Sequence, residues 1–97
     1  LTETKALVDL SAQSLVQYLQ EPQTNLESIP SQFREIGGAL IFLAARDGQK
    51  ALLQSAEFVQ KSLEKEQVLN KEQVNKLLDV LASADMMIEN LQNKQPD

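Results

Sequence analysis

Residues 33–48, FREIGGALIFLAARDG, are the most apolar stretch of the chain, and two adjacent glycines lie inside it. Such a run reads as a membrane span, a buried strand or a helix. Its unbroken apolar part, Gly37 to Ala45, falls well short of the roughly 20 residues that a spanning helix needs. An extended strand over 39–43 has no partner strand elsewhere. Phe33, Ile36, Leu40 and Leu43 instead keep a spacing of three and four through the segment, the period of a helix with one buried face. In a helix interior each glycine costs about 1 kcal/mol against alanine. Gly37 and Gly38 therefore call for a use, and clearance for a close neighbour is the natural one.

The same period recurs on both sides of this segment. Val8, Ala12, Leu15 and Leu19 form the stripe of a first helix, which stops near Glu21-Pro22 because proline cannot continue it. Pro30 suits the first turn of the second helix, with a start nearer Thr24 as the alternative. Leu52, Ala56, Val59 and Leu63 mark a third helix, with Asp47 or Gly48 as its N-cap. Val74, Leu77, Leu81, Ala84, Ile88 and Leu91 mark the fourth, behind Asn70 and Gln73 in capping-box spacing. The connection at Arg46 to Gly48 is short enough to make helices two and three neighbours, whereas that from Glu21 to about Ile29 is longer. Four amphipathic helices joined in this way predict an all-α, antiparallel up-down-up-down four-helix bundle.

Composition agrees with one such domain over residues 1–97. The chain is 42% apolar with three glycines, three prolines and only four aromatic residues, so its core is mainly aliphatic. The start at Leu1 and the polar tail over 92–97 read as a domain excised from a longer protein. A net charge of −5 and singly scattered lysines and arginines argue against nucleic acid and anionic membrane as partners. With no cysteine there is no disulfide framework, and no signal peptide is visible, so the reading is a soluble cytoplasmic protein.

The absence of histidine and cysteine removes nucleophile–histidine pairs, thiolate chemistry and histidine-ligated metals together. The remaining carboxylate and lysine groupings, Asp85 with Glu89 and Glu57, Glu64, Lys61 and Lys65 on helix three, read as solvated surface pairs. Gly37-Gly38 is not a phosphate loop, since no strand precedes it and no lysine with serine or threonine follows. The sequence therefore predicts no catalytic residue, no metal and no cofactor.

One face of helix two breaks the amphipathic rule. At about 100° per residue, Gly38, Ile41 and Ala45 lie within about 40° of Arg34, and Phe42 at about 80°, opposite the core stripe. A floor of small residues bordered by Ile41, Phe42, Arg34 and Arg46 is a candidate contact surface, against the simpler reading of Gly37-Gly38 as internal packing. Arg34, Gly38, Ile41, Phe42, Ala45 and Arg46 are thus the expected partner-binding residues.

The segment Arg34-Glu35-Ile36-Gly37-Gly38, with ALIFLAARDGQKALLQSAEFVQKSL after it, resembles the His-x-x-Lys-Gly region of histidine-containing phosphotransfer (HPt) domains. It is similar in particular to the degenerate HPt-like modules at the N-terminal ends of FimL and of ChpA-type chemosensory kinases. The specific part of the resemblance covers residues 33–53. It places Arg34 at the phospho-accepting histidine, Gly37 at the lysine and Gly38 at the glycine, so two of the three chemical positions are lost. The resemblance implies an HPt-like bundle that binds rather than transfers. It would be a scaffold module of a bacterial chemosensory system for type IV pilus (twitching) motility, and its partner a receiver domain or a pilus or polarity scaffold protein. A homodimer through helix two is also compatible. The alternatives are a degenerate repeat within a multidomain hybrid histidine kinase, and an unrelated small helical adaptor or immunity protein.

Overall fold

A computed structural model describes residues 2–41 and 46–94, with the backbone alone at residues 2, 41, 46–48 and 91–94. Its elements are α1 (Thr2–Gln20), α2 (Ile29–Ile41), α3 (Arg46–Glu64) and α4 (Lys71–Lys94), and the described residues hold no strand. The fold is all-helical, as expected, and compatible with a four-helix bundle. Each helix packs on its neighbours in the order α1, α2, α3, α4 and back to α1. Among the described residues no helix is long and apolar enough to cross a membrane.

The core is built from the stripes. Phe33, Ile36 and Leu40 of α2, Leu52, Ala56 and Val59 of α3, and Val74, Leu77, Leu81, Ala84 and Ile88 of α4 are all buried. Leu63 is only partly buried against them. Leu43 and the side chain of Leu91 lie outside the described residues.

In α1 the expected stripe is wrong by one position in its last turn. Tyr18 is buried at 7% exposure, whereas Leu19 is 37% exposed and Ala12 is only partly buried. The buried set is Val8, Ser11, Leu15 and Tyr18, again three and four apart, but with a serine at one of its places. Ser11 is tolerated there because its hydroxyl donates to Gln32 Oε1 at 2.7 Å, which satisfies it across the α1–α2 contact. A polar residue inside the stripe is what hid the register.

The connections are held by local hydrogen bonds. After α1, Thr24 Oγ1 donates to the Glu21 carbonyl at 2.7 Å, and Asn25 Oδ1 accepts from the Glu27 N–H at 2.7 Å. Leu26 tucks into the core between these turns. The Ser28 carbonyl accepts from Gln32 N at 3.0 Å, which opens α2. Pro30 therefore sits in its first turn, where its missing N–H is not needed, and the start near Thr24 is excluded. Before α4 the expected capping box is formed: Asn70 Oδ1 accepts from Gln73 N at 2.8 Å, and Gln73 Oε1 from Asn70 N at 2.9 Å.

The entry to α3 differs from expectation. Helix α3 begins at Arg46, so Asp47 and Gly48 are helical rather than N-caps, and Arg46 to Gly48 is not the connection. The residues joining α2 to α3, 42–45, lie outside those described. Helices α2 and α3 do pack directly on one another.

Helix α3 ends in a Schellman motif, with Gln67 N donating to the Ser62 carbonyl at 2.9 Å and Glu66 N to the Leu63 carbonyl at 3.1 Å. The motif requires a left-handed residue, and Glu66 fills that place at φ 54°. Glycine adopts this conformation without the Cβ penalty. Glu66→Gly is expected to stabilise the domain by about 0.5–1 kcal/mol after allowing for the greater chain entropy of unfolded glycine. A rise in the midpoint of urea unfolding checks it, and a fall would show that the Glu66 side chain matters more than its backbone.

Candidate functional site

The two glycines of α2 have separate roles. An added Cβ at Gly37 would meet Leu52 Cβ at 3.6 Å and Gln49 at 3.7 Å, ordinary van der Waals contact, so Gly37 faces α3 at a distance that would also accept a methyl group. An added Cβ at Gly38 would meet nothing within 4 Å among the described residues. Neither glycine has a positive φ, so the backbone demands glycine at neither place. Gly37 is thus packed against α3, while beside Gly38 the described residues leave open space. Gly38→Ala is expected to raise stability by about 0.5–1 kcal/mol, because it adds helix propensity with no clash. A thermal melt reads this, and a lower Tm would show that the position is packed after all.

Arg34 stands one turn before Gly38 and is exposed, as its place on the wheel requires. The structure therefore puts Arg34 and Gly38 on the outer part of α2. Ile41 is the last described residue of α2, but its side chain, that of Arg46, and Phe42 and Ala45 altogether lie outside the described residues.

Two of the shallow grooves between the helices bear on binding. One, of about 420 Å³, runs between α3 and α4 and is lined mainly by Ala51, Ser55, Phe58, Leu77 and Val80, with Lys76 at its edge. The other, of about 350 Å³, lies between α1 and α2 and is lined by Glu3, Ala6, Leu7, Leu10 and Glu35. Neither was found from the sequence. Phe58 and Leu10 lie off the buried stripes, and a lone apolar residue off a stripe carries no signal until the adjoining helix is placed beside it.

The charged side chains pair at the surface. Lys61 and Glu57 are 3.0 Å apart within α3, while Glu64 accepts from Gln60 at 3.3 Å. Asp85 and Glu89 turn out to be less alike than two solvated carboxylates. Glu89 takes Lys5 of α1 at 2.8 Å, and Asp85 is half-buried with an Oδ1 that has no hydrogen-bond partner among the described residues. The hydrogen bond that Lys5 donates to Glu89, with the charges of Glu89, Asp85 and Asp9, raises the Lys5 pKa above its ordinary value. That holds the ammonium protonated, the reverse of what a nucleophilic lysine needs. Among the described residues no group of three or more Asp or Glu is placed to hold a metal ion.

No curated protein and no solved structure matches the chain. A family model does, over residues 1–97, and it describes the FimL C-terminal domain. The match covers the whole chain rather than only the segment 33–53, and it names the C-terminal domain where that segment resembles an N-terminal module. The chain belongs to the FimL C-terminal domain family.

Proposed function

We propose that this domain is a non-catalytic, HPt-like protein-interaction module of a bacterial chemosensory system that controls type IV pilus motility, acting in the cytoplasm. Family membership supports the pilus context. The observation that carries the binding role is the space that the described residues leave beside Gly38, one turn from the exposed Arg34, at the positions that resemble the HPt glycine and histidine. With arginine at the histidine place and no histidine in the chain, the surface offers a fixed cation and clearance, which suits docking on an acidic receiver pocket.

The antiparallel up-down-up-down arrangement belongs to this reading. It is supported by two contacts between α1 and α4: Lys5 near the start of α1 meets Glu89 near the end of α4, and Tyr18 near the end of α1 meets Leu69 just before α4. Self-association through α2 would use the same clearance.

The test is calorimetric titration with the isolated receiver domains of the pilus chemosensory system. Micromolar binding to one of them is expected. Gly38→Trp should abolish it while leaving circular dichroism unchanged, since among the described residues nothing lies within 4 Å of a Cβ at that position. Binding that survives Gly38→Trp overturns the docking face, as does the absence of binding by every receiver. Stable phosphoryl labelling of the domain by a kinase or phosphorylated receiver overturns the non-catalytic reading.

A further inference from the structure

The groove between α1 and α2 has an apolar floor and an acidic rim. The buried set Val8, Ser11, Leu15 and Tyr18 turns Leu10 about 120° away from the core, and Leu10 is 49% exposed. Leu7 is half-buried against the core, and Ala6 leaves the wall low. At the groove's edges stand Glu3 of α1 and Glu35 of α2, both exposed, with no ion-pair partner among the described residues. Lys5 lies nearby in sequence but is engaged by Glu89 on the opposite flank of α1. The Ser11–Gln32 hydrogen bond pins the two helices together at one end, so the groove is a fixed feature of their packing.

We propose that this groove receives a basic amphipathic helix of a partner protein, which lays an apolar side chain on Leu7 and Leu10 while lysine or arginine residues on either side reach Glu3 and Glu35. Two carboxylates flanking an apolar floor match that pattern: apolar contact supplies affinity, and opposite charge at the rim supplies orientation and a faster encounter with a chain of net charge −5. The α3–α4 groove is larger but lacks such a pattern, because Lys76 there is drawn to Glu72 at 3.9 Å. The groove adjoins the receiver-docking face, since Glu35 follows Arg34 on α2, but the two readings are told apart because their tests use different ligands and different variants.

Two synthetic 18-residue peptides test it by fluorescence anisotropy. Each carries one leucine stripe at helical spacing, flanked by lysines in one peptide and by glutamates in the other. The lysine peptide should bind, more weakly as salt rises. Glu35→Lys and, separately, Leu10→Asp should weaken it about tenfold or more. Asp79→Lys, an equal change of net charge on the exposed outer side of α4, should change it less than about twofold. Equal losses for Glu35→Lys and Asp79→Lys would reduce the effect to overall charge and overturn the proposal. So would equal binding of the glutamate peptide, or no binding of the lysine peptide at low salt. A concentration-dependent dimer of the domain, dissolved by Leu10→Asp in sedimentation, would assign the groove to a second copy and overturn it as well.

Discussion

Phe33→Ala is expected to destabilise the domain by about 3–5 kcal/mol, enough to remove much of the 5–15 kcal/mol typical of a small domain. Phe33 is fully buried and is the largest of the wholly enclosed side chains. Truncation loses the transfer free energy of the ring and leaves a cavity that surrounding helices fill only in part. It also falls on α2, whose 13 described residues are too short a helix to persist in water without tertiary packing. Urea unfolding of the variant measures the loss. The comparison is Phe58→Ala, at a ring 39% exposed, where a cost nearer about 1 kcal/mol is expected. If the two variants lost equal stability, Phe33 would not be the anchor that its burial indicates.

Tyr18→Phe should cost about 1–3 kcal/mol, although it removes a single oxygen. The Tyr18 hydroxyl accepts from the Leu69 N–H at 3.0 Å across the interior, and both residues are buried at 7% exposure. Phenylalanine keeps the ring's packing but leaves that backbone donor without a partner, and a buried unpaired donor costs the full price of its desolvation. At about 4–8 °C for each kcal/mol, the drop in Tm is readily measured. Hydrogen exchange gives the specific readout, since Leu69 should lose protection before the centre of α4 does. An unchanged Tm would mean that water takes the place of the hydroxyl.

Much of the fold was legible because helical burial leaves a periodic mark. The stripes of α2 and α4 at their described positions, that of α3 as far as Val59, and the Asn70–Gln73 box were visible in the order of residues alone. The stripe of α1 was legible only in part. Ser11 and Tyr18 are polar-tipped residues, and each is buried through a hydrogen bond to a distant part of the chain, at Gln32 and at Leu69. No local pattern announces a partner 21 or 51 residues away. The start of α3 was misplaced for a simpler reason: Asp47-Gly48 carries the residue types of a cap, but those types also occur inside a first turn.

The candidate site divides in the same way. That α2 carries an outward face with Arg34 and Gly38 followed from the wheel, and the structure agrees. The difference between the two glycines did not follow from it, because Gly37 and Gly38 are chemically identical neighbours and only the position of α3 separates them. The α1–α2 groove was equally hidden, as it exists only once Leu10 and Glu35 are brought side by side.

By itself the sequence determined the helical class, most of the core stripes of α2, α3 and α4, the Asn70–Gln73 cap and the residue types that a chain without histidine or cysteine lacks, since each depends on residue type and spacing along one helix. Only the tertiary structure decided which glycine is packed and which is open, why Tyr18 rather than Leu19 is inside, and where an acidic rim meets an apolar floor. Each of those depends on what a second helix places opposite the first.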